Sequence, residues 1–579
     1  MDSDHRTPVV LCWHMHQPVY QDQHTGEFLF PWVYLHCIKD YVDMAAHLEA
    51  HPEARAVVNF APVLLEQIEE YLVQIERWRH SGTAVSDPVL AALVADSLPE
   101  PGSPGFLELM EKCLRANENR IIKRFAPYKR LSELARFYRT RPDIQRYISP
   151  QLLVDLLVWY HLGWMGETVR RTHPVIQTLQ EKSHQFTMED RRALLDVIEE
   201  LMAGLGPRYR HLSQTGQAEL AMSPWAHPIV PLLLDFGSAR EAMPDIRMPE
   251  HSTYPGGKDR ADWHIRMGQQ VFQRFFGEQA AGCWASEGGL SQDTLALLGE
   301  HGFQWTASGD SVGHNSFRLA KEQEALNKEP PIHRPFLFGE QPVTVFFRDD
   351  GLSDLIGFNY ADWHAEDAVG DLVHHMENIA SNSKAGDCPV ISVILDGENA
   401  WEYYPENGYY FLDELYRVLK NHKTLRLTTY RNLLSEPVCD PVKLPHLVAG
   451  SWIYGSFSTW IGDPDKNRAW DLLCEAKQHY DRVMDNGSLT AEQKEKASYQ
   501  LGLCEGSDWF WWFGDYNPAP VVRDFEHLYR RHLANLYDNI GYPAPARLFQ
   551  PISQGGGEPA RGGAMRPGHE AGGLECVKH

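Results

Sequence analysis

Seven short runs of β-branched and aromatic residues, at 8–13, 55–61, 216–222, 281–285, 303–307, 343–348 and 390–396, punctuate the chain. Each stops at a turn or polar residue, the pattern of a buried strand. Between most of them apolar positions recur at helical spacing, as in 64–78, 258–276, 291–301 with Ser291 as N-cap, and 365–382. Strand alternating with helix implies a parallel sheet, and seven repeats predict an α/β fold, a seven-stranded parallel β/α barrel spanning 1–435. A mostly helical insertion is expected at 62–215, with one helix over 151–171, another opening at Thr187, and a Pro-, Ser- and Gly-rich loop at 81–104.

After Arg431 the strand signals fade, and a helical region is expected over 436–550. Asp463-Pro464 reads as an N-cap followed by proline at the first helical position, and Thr490 with Gln493 as a capping box. Phe525, Leu528, Tyr529, His532, Leu533, Leu536, Tyr537 and Ile540 share one face of a further helix, with Gly541 just past its end. His532, on that apolar face, is expected to pack rather than to bind. The Gly-rich stretch 551–579 has no periodicity and is expected to be a disordered tail.

Composition narrows the possible partners. The chain has 579 residues with 54 Lys plus Arg against 78 Asp plus Glu, a formal charge of −24 that disfavours nucleic acid and anionic membrane and leaves a neutral ligand as the better fit. Aromatic residues are abundant, 17 Trp, 24 Tyr and 24 Phe, and some cluster among polar residues where sugar rings could stack. The nine cysteines show no metal-binding spacing and read as reduced thiols. Neither a basic leader with a long apolar core nor an apolar run of about 18 residues is present, so a cytoplasmic location is expected.

The chemistry collects at the predicted strand ends, which share one face of a parallel barrel. His14, His16 and Gln17 follow the first strand, Glu219 lies in the third, Ser286-Glu287 follow the fourth, Asp310 the fifth, Arg348-Asp349 end the sixth, and Asp396 ends the seventh. Two or more carboxylates in an aromatic pocket suit glycoside cleavage, in which one stabilises or attacks the anomeric centre and the other protonates the departing oxygen. A gap of about 5–5.5 Å would mean a covalent, retaining route and about 6.5–9.5 Å an inverting one. Glu398, Glu402 and Glu406, near the second acid, are expected to be structural.

Five motifs, in order, carry a resemblance: His16-Gln17-Pro18, GQAELAMSPWAHPIVPLL from Gly216, GCWASEGGLS from Gly282, ILDGENAWEYY from Ile394 and CEGSDWFWWFGD from Cys504. Together they resemble glycoside hydrolase family 57, particularly its amylopullulanase-like branch, over most of the chain. The resemblance implies a retaining enzyme acting on an α-glucan substrate, through a seven-stranded β/α barrel followed by a helical region; the two carboxylate roles need no cofactor, and no metal ligand is expected. Carried over by position, Glu287 is the nucleophile and Asp396 the general acid/base. An ionised Glu287 and a protonated Asp396 are then expected before leaving-group departure. His14, His16, Glu219, His227, Trp284, Trp401, Asp508 and Trp509 are the expected substrate-binding residues, with Trp511 and Trp512 as further stacking candidates.

Ser286 departs from the Pro or Ala expected before the nucleophile, and the absence of a leader and of an added carbohydrate-binding module points to maltodextrin or glycogen rather than pullulan. Hydrolysis of α-1,4 linkages is the expected activity. A 4-α-glucanotransferase or a branching enzyme would share the same glycosyl-enzyme. Two further readings stand beside these: a metal-dependent carbohydrate deacetylase, because His14 and His16 lie two apart and face the same way in a strand, and a catalytically silent glucan-binding protein.

Overall fold

The computed structural model describes residues 5–384, 388–557 and 565–568. Among these residues ten strands form one sheet: β1 (Thr7–Met15), β2 (Ala56–Phe60), β3 (Ala218–Met222), β4 (Gly282–Cys283), β5 (Trp305–Gly309), β6 (Phe336–Phe338), β7 (Thr344–Arg348), β8 (Ile391–Asp396), β9 (Leu425–Leu427) and β10 (Val442–Leu444). Their order is β10-β6-β7-β5-β4-β3-β2-β1-β8, with β9 beside β1. All pairings are parallel except β6 with β7. The core strands read as near-continuous apolar runs because helices cover the sheet: all five residues of β2, β3 and β7 are buried.

The sheet is thus α/β and mostly parallel, as expected, but it has ten strands rather than seven. The three additional ones, β6, β9 and β10, are three residues each, too short to stand out as a periodic signal. β7 and β8 lie side by side without a ladder: just past β7, Asp349 N–H donates to Ser392 O at 2.8 Å, and Arg348 Nε donates to Ile394 O at 2.8 Å.

Residues 62–215 supply helices from Pro62–Ser81 to Met188–Gln214, the latter opened by a Thr187–Asp190 capping box. The single helix expected at 151–171 is two, Pro150–Gly163 and Glu167–Thr172. The break is made by Asp43, whose carboxylate accepts from the N–H groups of Glu167 (2.7 Å) and Thr168 (2.9 Å) and so starts a new helix there. At Gly166 a Cβ would lie 2.7 Å from Asp43 Oδ1, so the approach needs glycine.

Beyond the sheet, helices Pro464–Asp485, Ala491–Cys504, Ser507–Trp512 and Ala519–Asn539 pack on one another and meet the loops after β1 and β3, through bonds such as Arg531 to Asp22 and Ser507 N–H to His227 O. The caps at Asp463 and at Thr490 with Gln493 are present, and Gly541 has φ 65° just past the last helix. His532 is buried in that interface, bonded to Gln500 and to Val19 O, as a packing residue. Of the stretch 551–579, residues 551–557 and 565–568 are described and they pack: Ile552 and Met565 are buried, and Gly568 bonds Tyr454 and Asp354. The disorder expected there fails for these two pieces, whose anchors are backbone bonds and ring stacking that composition conceals. The rest of that expectation lies outside the described residues.

Glu505 fastens the helical region to the helix Gly257–Phe276. It is fully buried and accepts from Arg260 Nε (2.9 Å) and Nη2 (2.8 Å), from His264 Nε2 (2.8 Å) and from the Tyr254 hydroxyl. Burial alone would raise its pKa, but Arg260 and His264 outweigh it and bring the carboxyl down to about 2. A carboxyl held below its ordinary 4.5 stabilises the fold above that pH and loses the contribution as pH falls toward 2. Glu505→Gln strands the Arg260 charge in the interior and is expected to cost about 3–5 kcal/mol at neutral pH. Urea unfolding would measure it, and the gap to wild type should narrow as the buffer is acidified below pH 4.5.

Candidate active site

One cavity of about 680 Å³ opens at the carboxyl ends of the strands, between the sheet, the insertion and the C-terminal helices. His14, His16, His227, Glu287, Asp396 and Asp508 all line it, although they come from β1, the loops after β3 and β4, the end of β8 and the helix Ser507–Trp512. Trp32, Trp164, Trp452, Trp511 and Trp512 line it too.

Glu287 sits in a tight turn directly after β4, with φ 58° and ψ 24°. A non-glycine residue in this left-handed region costs about 1–3 kcal/mol, a strain that needs the surroundings to hold it. Two neighbours do so: Trp452 N–H donates to Glu287 O at 3.1 Å, and Leu290 exchanges backbone bonds with Gly450. The carboxylate accepts from Trp452 Nε1 and from Ser507 Oγ, both at 3.2 Å. His227 is also left-handed (φ 58°); its Nδ1 lies 3.0 Å from Ser507 Oγ and 3.7 Å from Glu287 Oε1. The C-terminal region reaches this point because Ser507 N–H bonds His227 O at 3.0 Å, while Gly506 passes so close that a Cβ would be 2.9 Å from Ala226 O.

Asp396 ends β8 opposite His14 in the β1 register. Asn399 Nδ2 donates to its Oδ2 at 2.9 Å. Gly397, which follows, bonds His14 O at 2.7 Å, and a Cβ there would meet Met15 Sδ at 2.2 Å. His14 Nδ1 pairs with Asn59 Oδ1 at 2.7 Å, which also accepts the Ser223 hydroxyl, so Nδ1 carries the hydrogen and Nε2 is left without a partner. His16 Nε2 lies 3.0 Å from both oxygens of Asp508. The rings of His16 and His227 stack at 4.0 Å, and those of His14 and His227 at 5.0 Å.

Crowding buried acids raises their pKa values. Burial, then the charges of Asp508 and Asp396, push Glu287 up to about 8. Asp396 is raised by burial, against hydrogen bonding from Asn399 and the charges of His16 and Arg348. Burial thus raises the pKa of both carboxyls, Glu287 as well as Asp396. Burial and the neighbouring rings hold His14 at about 3 and His227 well below the ordinary imidazole value, so both are neutral at pH 7. Removing one negative charge should relax the carboxyls. Asp508→Asn is therefore expected to move the pH–rate profile toward acid, as well as lowering the rate, which kcat/KM measured across pH 5–9 would record.

Four expected binding residues are elsewhere. Glu219 lies inside the sheet, where Oε1 accepts from Trp305 Nε1 (2.7 Å) and Oε2 from Arg431 N–H (2.8 Å). Trp284, Trp401 and Trp509 are 0%, 1% and 1% exposed, and a stacking platform needs an open face. Trp284 packs on Trp452, Trp401 on Trp13, and Trp509 donates to Leu503 O. Asp310 and Asp349 are not in the lining; Asp349 bonds His333 and caps the turn Asp350–Asp354. Glu402 lines the cavity, and so does Glu398, expected to be structural: its Oε1 accepts from Gln17 Nε2 (3.0 Å) and His16 N–H (3.3 Å), while buried Oε2 has no partner. Trp452 was missed. Its only sequence signal is its place in the Gly450–Gly455 loop; Gly309, where a Cβ would be 2.7 Å from Trp452 Cα, lets the loop pack this closely.

Ligand atoms of His16, His227 and Asp508 all lie within 4.8 Å of one another, a set able to hold a metal ion. The eight described cysteines are all free thiols, and none belongs to that set.

A mostly parallel sheet whose strand ends deliver acids, imidazoles and indoles to a single deep cavity defines an α/β protein with an enzyme-type pocket. Within that class the chain belongs to glycosyl hydrolase family 57, whose family model matches residues 10–444. It is similar in fold to a family 57-type branching enzyme from Pyrococcus horikoshii (14% identity, TM-score 0.57, covering 97% of this chain and 99% of that one). It is also similar to a family 57 branching enzyme from Thermococcus kodakaraensis solved with glucose (15%, 0.55, 92% and 90%) and to the α-amylase AmyC of Thermotoga maritima (15%, 0.53, 93% and 94%). No curated protein sequence matches the chain. Among the described residues no helix is long and apolar enough to cross a membrane.

Proposed function

We propose that the protein is a retaining α-glucan-active enzyme that cleaves α-1,4 linkages of maltodextrin or glycogen in the cytoplasm, with Glu287 as nucleophile and Asp396 as general acid/base. The observation that carries this reading is the convergence of Glu287 and Asp396, distant in sequence, on one cavity whose wall is aromatic. The Glu287 carboxylate attacks the anomeric carbon while Asp396 gives its proton to the glycosidic oxygen, so the C–O bond breaks and a glycosyl ester forms. Forming the ester removes the Glu287 charge, which lets Asp396 remain ionised. Asp396 then takes a proton from water, whose oxygen bonds the anomeric carbon and frees Glu287. A sugar hydroxyl in place of that water gives transfer, the chemistry of a 4-α-glucanotransferase or branching enzyme.

His16 and Asp508, bonded to each other, are placed to bind substrate hydroxyls, with His14 and His227 as neutral partners. The five ordered motifs support an amylopullulanase-like position within the family, and the seven longest-signalled strands support a barrel-type frame left with a seam between β7 and β8. Incubation with maltoheptaose, followed by NMR, tests the reading. Products appearing first as the α-anomer support it, shorter sugars meaning hydrolysis and longer ones transfer. A β-anomer first, or no turnover, overturns it. The His16–His227–Asp508 set favours a second reading, a metal-dependent deacetylase, which bound zinc with acetate release from acetylated sugars would support.

A further inference from the structure

The segment 565–568 (Met-Arg-Pro-Gly) lies against the catalytic cavity, and Met565 and Arg566 are part of its lining together with Glu287 and Asp396. Its position is fixed at both ends. At one, Gly568 N–H donates to Asp354 Oδ2 at 2.8 Å and Gly568 O accepts from Tyr454 N–H at 2.8 Å. At the other, the Arg566 guanidinium stacks 4.0 Å over the Tyr516 ring, lies 5.3 Å from the centre of Trp511, and donates from Nη2 to Asn517 Oδ1 at 3.2 Å. Met565 is buried, and Gly568 is packed so closely that a Cβ would be 2.5 Å from Asp350 Oδ2.

The contacts lead directly to the reacting groups. Asp354, which receives Gly568, also accepts from Arg348 Nη2 at 2.8 Å. Arg348 in turn holds Ile394 O, two residues before Asp396, and lies 5.4 Å from the Trp452 ring, whose Nε1 donates to Glu287. A guanidinium has five N–H donors, and Asn517 occupies one. A fork held by stacking, with further donors unpaired among the described residues, in the wall of a cavity of about 680 Å³, suits a chain of sugar hydroxyls, for which a planar donor array is pre-organised.

We propose that residues 565–568 form a specificity-determining wall of the glucan site, in which Arg566 donates hydrogen bonds to glucan hydroxyls and Met565 sets how much chain the cavity accepts. The inference rests on the reading of the protein as an α-glucan enzyme. Its test uses the full chain and two independent routes to the same loss. Arg566→Ala removes the donors, while Gly568→Leu displaces the segment through the clash at Asp350 without altering any cavity-lining side chain.

Both variants are expected to raise KM for maltoheptaose by about ten- to hundredfold, the worth of a hydrogen bond to a charged donor, with a smaller change in kcat and a shifted distribution of product lengths. Arg566→Lys should recover part of the KM and none of the fork-dependent preference. The midpoint of thermal unfolding should match wild type in all three. Wild-type turnover accompanied by unchanged KM and product lengths in both Arg566→Ala and Gly568→Leu overturns this inference alone. So does a KM change that Arg566→Lys restores in full, or one that tracks a loss of stability. Absence of wild-type turnover on any α-glucan removes the functional reading and this inference with it.

Discussion

Glu287→Gln is expected to lower kcat by about 10⁴- to 10⁶-fold, the scale on which losing the nucleophile of a covalent mechanism is felt. Glutamine keeps the shape of the side chain: its carbonyl oxygen can still accept from Trp452 Nε1 while its NH2 donates to Ser507 Oγ, whose hydroxyl can turn to accept. Folding and maltoheptaose binding should therefore survive, and calorimetric titration of the variant would separate binding from turnover. Azide added to Glu287→Gly should restore a rate, because glycine accepts the φ of 58° without strain and leaves room for a small anion to attack the anomeric carbon. Near-normal turnover by Glu287→Gln would end the proposed mechanism.

Asp396→Asn should lose about 10²- to 10⁴-fold on maltoheptaose, the usual worth of a positioned acid. The loss should depend on the leaving group. An α-maltosyl fluoride departs without protonation, so the first step on that substrate should fall far less than on an unactivated glucan. Equal losses on both substrates would show that Asp396 acts on binding or folding rather than on the leaving oxygen. The register of β8 against β1 argues against a folding role, since the backbone ladder at His14 and Asp396 does not use the carboxylate.

Much of the frame was legible because buried parallel strands and amphipathic helices carry strong periodic signals. The helix start at Thr187, the capping box at Thr490, the caps at Ser291 and Asp463 and the helix Ala365–Asn382 are local features, written in a few adjacent residues. What escaped depends on tertiary partners. Asp43 breaks a helix from more than a hundred positions away, and β6, β9 and β10 exist through pairing rather than through pattern.

The site divides in the same way. Acids and histidines could be placed by their positions after apolar runs. Tryptophans could not, because exposure decides whether an indole stacks on sugar or on its neighbours: Trp509 and Trp511 are two residues apart in one short helix, yet only Trp511 reaches the cavity. Glu219 misled for a related reason. On an inward-facing strand position a carboxylate normally signals function, but here the Trp305 indole and the Arg431 amide satisfy it within the sheet.

The hydrogen bond between His16 and Asp508 spans 492 residues, so the imidazole leaves the ribosome long before its acid exists. At about 5–20 residues per second that interval is roughly half a minute to a minute and a half. Throughout it the nascent polypeptide can organise its strands without possessing a complete pocket. The cavity is consequently incomplete until the helix that carries Asp508 has been synthesised.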